Sequence, residues 1–204
     1  MSKQAITHFK KQDPVLYAFA QRYGPIEMTK NKRSHFEALV EAVVSQQLSV
    51  KASDTIFKRF VALFPGKKFP TAEMILEITP ETMRSVGISY SKAKYILDLA
   101  QKVHTKDLKL SRLGKLGNEE VIGELTKVKG IGRWTAEMFL MFSLCREDVF
   151  SLGDLGLKNA IKNLYKLKAH PTEKHMQKLL KQWSPYKTYA ARYLWKSLDN
   201  EPVK

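Results

Sequence analysis

Apolar residues recur along this chain at intervals of three and four, and no run of them alternates over the length of a strand. That periodicity points to an all-α protein. Phe36, Leu39, Val40, Val43 and Val44 share one helical face behind Ser34-His-Phe-Glu37, which has the form of a capping box. A second helix starts near Ser49, with Phe57, Phe60, Val61 and Phe64 on one face, and Pro65-Gly66 ends it. Thr79-Pro80 reads as an N-cap followed by proline at the first helical position, and Gly87 as a stop. Ser91 opens a helix through Ile96, Leu97, Ala100 and Val103. Lys106 to Gly117 reads as a polar connection, and Asn118 caps a short helix ending near Val128. Arg133 to Cys145 is apolar on nearly every side, the pattern of a buried helix. Further helices are expected from about Asp154, about Thr172 and Ser184-Pro185. The expectation is a bundle of roughly ten helices, with no internal repeat and no low-complexity linker.

Charge narrows the partners. The 204 residues carry 35 Lys and Arg against 20 Asp and Glu, a formal net charge of +15. About half of the excess lies beyond Leu155, where ten Lys and one Arg face three acidic residues. Such a balance suits a polyanion, although a lysine-rich solvated surface gives the same count. With 44% apolar and 27% charged residues the chain has a globular composition. No stretch approaches the ~18 uncharged apolar residues of a membrane span, and Met1 to Lys10 has no apolar core of a secretory signal. The single cysteine, Cys145, excludes an internal disulfide and a four-cysteine zinc or iron–sulfur site within the chain, and it fits a reducing, cytosolic compartment.

The most informative segment is Leu125-Thr-Lys-Val-Lys-Gly130-Ile-Gly132-Arg-Trp-Thr-Ala136. Two helices meet there at a Gly-x-Gly turn. Glycine permits positive φ and lets another backbone come close. The turn also presents backbone N–H groups at the start of the second helix, a ready anion site. Lys127, Lys129, Gly130, Gly132 and Arg133 are therefore candidate contacts for a DNA phosphate. An ordinary tight helix–helix turn would use the same glycines.

These residues, and those that follow, resemble the helix-hairpin-helix DNA glycosylases, in which the hairpin is followed by a loop and a catalytic aspartate. Here the loop is Asp148-Val-Phe-Ser-Leu-Gly-Asp154-Leu-Gly156. Gly130-Ile-Gly-Arg-Trp-Thr-Ala136 looks like the branch of DNA-3-methyladenine glycosylase II. Ser45-Gln-Gln-Leu-Ser-Val50 is similar to the loop that fills the gap left by a flipped base. Val86-Gly-Ile-Ser-Tyr-Ser-Lys-Ala93 and Trp183-Ser-Pro-Tyr-Lys-Thr-Tyr-Ala190, with Trp195 after it, look like two further family segments. The resemblance spans roughly residues 34 to 196, with the segments in the family's order.

What the resemblance implies is a two-lobed helical bundle in one domain, residues 1–204, with the active-site cleft between the lobes. One lobe would run from about 34 to 145; the other would combine about 1–33 with 146–204. Longer relatives begin with a β-rich domain, for which the 33 residues before Ser34 are too few, so a compact version is expected. The implied activity is excision of alkylated purines of the 3-methyladenine and 7-methylguanine class from double-stranded DNA, in base excision repair. A damaged base must leave the duplex to be reached. Asp154 would stabilise the oxocarbenium-like transition state and orient or deprotonate water. It would also serve as a helix cap, at a helix end that favours negative charge.

The resemblance assigns Trp134, Trp195 and Met138 to the base pocket, where aromatic faces attract a cationic purine. Met138 stands where the relatives' pattern has tyrosine, which bears on base preference. The alternative for either tryptophan is core packing. Gln47 or Leu48 would plug the base stack from the minor groove. Relatives that also cut the backbone carry a lysine nucleophile where this chain has Trp134. A Schiff base needs that amine, so a monofunctional enzyme without lyase activity is expected. No cofactor is required and no iron–sulfur cluster is expected. Relatives often hold a sodium or potassium ion on hairpin carbonyls, here those of Thr126, Val128 and Ile131.

Other readings remain at this stage. A non-enzymatic helix-hairpin-helix DNA-binding protein would explain the charge and the turn, but would not need Asp154. A glycosylase for another damaged base, including a bifunctional oxidised-base enzyme, would share the frame, although Trp134 disfavours the second. A purely structural helical protein with a basic surface leaves the ordered segments unexplained. A monomer is the expected state, cytoplasmic and associated with the nucleoid in a bacterial cell, with no membrane partner.

Overall fold

The computed structural model describes residues 2–29, 33–66 and 68–198. Among them are twelve α-helices, one 3₁₀ helix and no strand, so the chain is all-α as its periodicity requires. No helix among the described residues is long and apolar enough to cross a membrane. The chain divides into two compact units, residues 31–139 and residues 1–30 with 140–204.

The continuous unit contains α3 (His35–Ser45), α4 (Val50–Ala62), α5 (Ala72–Leu76), α6 (Pro80–Ser85), α7 (Tyr90–His104), a 3₁₀ helix (Leu110–Lys115), α8 (Asn118–Thr126) and most of α9 (Arg133–Phe142). Side-chain oxygens start several of these. Ser34 accepts from the Glu37 N–H at 3.1 Å, Ser49 from Ala52 at 3.3 Å and Thr79 from Thr82 at 3.2 Å. Each satisfies one of the donors that a helix N-terminus leaves unpaired. The Glu37 carboxylate lies 3.4 Å from Arg33, an ion pair beside the cap. Leu39, Val40, Val43, Phe60, Ile75, Met83, Ile96, Leu99, Leu113 and Leu125 are fully buried in this unit.

The discontinuous unit contains α1 (Ser2–Gln12), α2 (Pro14–Tyr23), α10 (Leu155–Leu164), α11 (Glu173–Trp183) and α12 (Lys187–Lys196). Its core gathers Phe9, Leu16, Leu157, Ile161, Met176, Trp183, Tyr189, Tyr193 and Leu194. A buried carboxylate ties three helices together. Asp13 Oδ1 caps α2 through the Leu16 N–H at 3.0 Å, while Oδ2 accepts from Trp183 Nε1 at 2.7 Å and from the Tyr165 hydroxyl. Three donors satisfy the acceptor oxygens of this buried side chain. Burial, followed by the charge of Asp13, pushes the Tyr165 hydroxyl far up, so it stays a donor.

Several boundaries differ from those expected. Ser89, not Ser91, caps α7, and Gly117 precedes α8, whose first residue is Asn118. The Glu120 carboxylate reaches back to the Gly117 N–H at 2.6 Å, replacing a side-chain cap. The segment 106–117 is not merely a polar connection: it holds the 3₁₀ helix and buries Leu108 and Leu113. After a cis Ser184-Pro185 bond, α12 starts at Lys187. α1, α2 and α5 are additional to the helices expected. α9 stops at Phe142 and is not buried all round, because Trp134 and Phe142 are exposed.

Candidate functional site

In the continuous unit, α8 and α9 form a hairpin about Lys127–Gly132. The turn closes with the Ile131 N–H donating to the Val128 carbonyl at 3.1 Å. Gly130 has φ +80°, and a Cβ built there would stand 2.1 Å from Cδ2 of Tyr95. The turn therefore needs glycine both for its left-handed backbone and for the ring beneath it. Gly132 meets nothing within 4 Å, so its backbone is open to an approaching partner.

Asp98 of α7 anchors the same turn, accepting from the Lys129 N–H at 2.9 Å and from Lys102 at 3.1 Å. Burial works to raise its pKa, but the two hydrogen bonds and the lysine charges hold the carboxyl below its ordinary value. The hairpin cations are partly engaged. Lys127 pairs with Glu124 at 2.5 Å. Arg133 makes a fork to Glu119 at 2.6 and 2.9 Å and a further bond to Glu137 at 3.0 Å. These hydrogen bonds, chiefly the one to Glu119, raise the Arg133 pKa further, so its charge is fixed while its donors are shared. Thr126 turns its hydroxyl onto the Ile122 carbonyl at 2.8 Å. Among the backbone carbonyls at the turn, that of Val128 accepts from the Ile131 N–H.

The loop after α3 carries Gln47 and Leu48, both exposed. Gln47 has φ +57°, a left-handed conformation that costs about 1 kcal/mol or more outside glycine. Its neighbour Gln46 reaches across to the hairpin, donating from Nε2 to the Gly130 carbonyl at 2.8 Å. Lys92 Nζ donates to the Val44 and Gln46 carbonyls at 2.7 and 2.6 Å, where α3 ends. Burial lowers the Lys92 pKa. Trp134 and Met138 lie four residues apart on one face of α9. Trp134 is 49% exposed, so it does not serve as core. His35, on α3, is bonded through Nδ1 to the Leu110 carbonyl at 3.2 Å and stands edge-on to Phe139.

In the discontinuous unit, Asp154 is the N-cap of α10 and is 8% exposed. Its Oδ1 accepts from the Leu157 N–H at 2.8 Å and from Trp195 Nε1 at 3.4 Å. The carboxylate is thus oriented by a helix N-terminus and an indole, and the structure brings Asp154 and Trp195, two separate candidates, together. Gly156 explains the Asp-Leu-Gly pattern: a Cβ there would lie 3.0 Å from Asp154 Oδ1 and 3.7 Å from Trp195 Cδ1.

The loop before Asp154 is stapled to α12. Thr188 Oγ1 donates to the Arg146 carbonyl at 2.6 Å and accepts from the Val149 N–H at 3.1 Å. Asp148 takes Ser184 Oγ at 2.9 Å and pairs with Lys187 at 3.1 Å. Sequence reasoning missed Phe142, whose 43% exposed ring stands 6.0 Å from that of Trp195. It also missed Lys92, Tyr95 and Asp98 on α7, whose three-residue spacing alone could have marked a common face.

Residues 40–185 match the HhH-GPD superfamily of base excision DNA repair proteins. DNA-3-methyladenine glycosylase 1 of Schizosaccharomyces pombe is 40% identical over 171 residues, covering 81% of this chain and 73% of the relative. The structure of a 3-methyladenine DNA glycosylase of Schizosaccharomyces pombe in complex with abasic DNA superposes with a TM-score of 0.82 at 34% identity, covering 98% of this chain and 99% of that one. A DNA-3-methyladenine glycosidase of Bacillus halodurans gives 0.85 at 36% identity, over 96% and 89% of the two chains. The family match over residues 40–185, together with these relatives, shows that the chain belongs to the HhH-GPD superfamily of base excision DNA repair proteins.

Proposed function

We propose that the chain is a monofunctional DNA glycosylase that flips an alkylated purine out of duplex DNA and hydrolyses its bond to deoxyribose, leaving an abasic site. The observation that carries this reading is Asp154, held almost buried by the α10 N-terminus and by the indole of Trp195. A non-enzymatic DNA-binding protein would need this carboxylate only as the cap of α10, and not beside an aromatic ring. As the glycosidic bond lengthens, positive charge grows on the sugar. Asp154 stabilises that charge and orients the water that completes the reaction. Trp134, Trp195 and Met138 receive the base, with Phe142 beside Trp195 as a further aromatic contact. Gln47, or Leu48 next to it, fills the vacated place in the stack.

The hairpin grips the phosphates through the N–H groups near Gly130 and Gly132, with Lys127, Lys129 and Arg133 supplying charge. The carbonyls of Thr126, Val128 and Ile131 would hold a sodium or potassium ion, which would add positive charge beside a phosphate. Trp134 supplies no amine, so no Schiff base forms at that position. The enzyme acts as a monomer in the compartment that holds the DNA, at the nucleoid in a bacterial cell.

The direct test is base release from methylated duplex DNA, followed by borohydride. Free 3-methyladenine or 7-methylguanine without a trapped adduct is the expected outcome; a covalent adduct would contradict the monofunctional reading. Affinity for abasic DNA should also fall with salt, with a log–log slope of about −0.9 per phosphate neutralised. An affinity that hardly changes between low and moderate salt would exclude docking by phosphate contacts.

Leaving-group preference follows from the groups present. A cationic methylated purine departs neutral and needs no proton, whereas hypoxanthine needs a general acid, worth roughly 10²–10⁴ in rate. None of the residues assigned to the base pocket is an acid, and the His35 imidazole has its Nδ1 bonded to the Leu110 carbonyl. Single-turnover release of 7-methylguanine is expected to exceed that of hypoxanthine by about a hundredfold or more. Equal rates on matched duplexes would reveal an acid that this assignment lacks.

A further inference from the structure

Two parts of the continuous unit that contact DNA in the proposed reaction are joined by side chains. The left-handed backbone of Gln47 is the observation to explain. A non-glycine residue stays in that region only where its surroundings over-determine it. Here both sides of the preceding residue are held. The Gln46 carbonyl accepts from Lys92 Nζ at 2.6 Å, and its side-chain amide donates to the Gly130 carbonyl at 2.8 Å. Lys92 also takes the Val44 carbonyl, so one ammonium closes the C-terminus of α3, where unpaired carbonyls and the helix dipole both favour a cation.

The same face of α7 continues beneath the hairpin. Tyr95 lies under Gly130 and Asp98 holds the Lys129 N–H. The spacing from Lys92 to Tyr95 to Asp98 keeps all three on one side of a rigid helix. Hairpin and plug loop therefore share one support, and a side-chain hydrogen bond from Gln46 to Gly130 links them directly.

We infer that Gln46 and Lys92 are positioning residues for base extrusion. They fix Gln47 relative to the phosphate-gripping turn, so that a hairpin seated on the backbone delivers the plug at the right height in the stack. Neither residue touches the reacting atoms. The inference rests on the proposed glycosylase reading. Base release by the parent enzyme tests that reading alone, and the difference between parent and variants tests the coupling.

The experiment uses Gln46→Ala, which removes the link and leaves the core intact, and Lys92→Met, which keeps the aliphatic stem and removes the charge. Three quantities are measured for each: affinity for a duplex with a tetrahydrofuran abasic analogue, the fluorescence rise of 2-aminopurine next to a 7-methylguanine lesion, and single-turnover release. The first two need no chemistry, so they report even on an inactive parent.

Gln46→Ala is expected to bind the abasic analogue within about threefold of the parent. Its fluorescence rise and base release should both slow by about tenfold to a hundredfold, as for a misplaced reacting geometry. Lys92→Met should show the same split. Parental extrusion and release in Gln46→Ala would overturn the inference. So would a loss of abasic-site affinity equal to the loss in rate, because that is the mark of a damaged hairpin and not of a misplaced plug. If Lys92→Met fails to fold, the comparison with Gln46→Ala still decides.

Discussion

Asp154→Asn is expected to lose most base release while leaving the protein folded and able to bind abasic DNA. The amide keeps the shape of the side chain and its oxygen can still accept from Leu157 N and Trp195 Nε1, the two donors now 2.8 and 3.4 Å from Oδ1. Asparagine is also as good an N-cap as aspartate, so stability should change by only a few tenths of a kcal/mol. What the variant loses is negative charge facing an oxocarbenium-like sugar. Removing one preorganised electrostatic stabiliser of a transition state costs roughly 10²–10³ in rate. Single-turnover release of 3-methyladenine, with the melting temperature measured alongside, checks this. Parental release would make Asp154 only a cap. Asp154→Ala gives the complementary control, since it loses both the charge and the cap and should cost about 1 kcal/mol of stability as well.

Asp154 also shows how far local sequence reaches. Its place as a cap is legible, as are Ser34, Ser49, Thr79-Pro80 and Thr172, because a capping oxygen and the N–H it binds lie three residues apart. Asp13-Pro14 carries the same signature as Thr79-Pro80 and opens α2, yet α1 and α2 escape a reading by periodicity: with Ala5 and Phe9 the fully buried apolar pair of α1, the periodic signal there is thin. Long-range pairings leave no local trace at all. Gln46 and Gly130 are 84 residues apart, Asp98 and Lys129 31, and Asp13 and Trp183 170. A helix that is apolar on every side reads as buried. Periodicity does not distinguish a face that packs from one left open, so the exposure of Trp134 and Phe142 is visible only in the structure. Arg133 shows the converse. Its sequence neighbourhood marks it as a phosphate contact, while the fork it makes to Glu119 depends on how α8 lies against the turn.

The two glycines of the turn should respond oppositely to the same substitution. Gly130→Ala places a methyl 2.1 Å from Cδ2 and 2.3 Å from Cγ of Tyr95, and forces an L-residue to hold φ +80°. The ring atoms are near the α7 backbone and cannot swing away as a flexible chain end would. Left-handed strain and overpacking each cost about 1–3 kcal/mol. A loss of about 3 kcal/mol or more is expected, a fall in melting temperature of roughly 10 °C for a chain of this size. DNA affinity should fall with it, because the N–H groups of the turn move when Tyr95 is displaced. Tyr95→Ala separates the two contributions: in that background the further cost of Gly130→Ala should shrink to the backbone strain, about 1 kcal/mol. An undiminished cost would mean that the ring is not the obstacle. At Gly132 an added methyl would have no atom within 4 Å, and φ is not positive, so Gly132→Ala should leave stability within about 0.5 kcal/mol. Its methyl instead occupies the space through which a phosphate reaches the turn, and affinity for abasic DNA should drop with no change in melting temperature. Unchanged affinity in Gly132→Ala would mean that the backbone does not come close to DNA at this glycine, and would move the phosphate contact to the lysines that precede it.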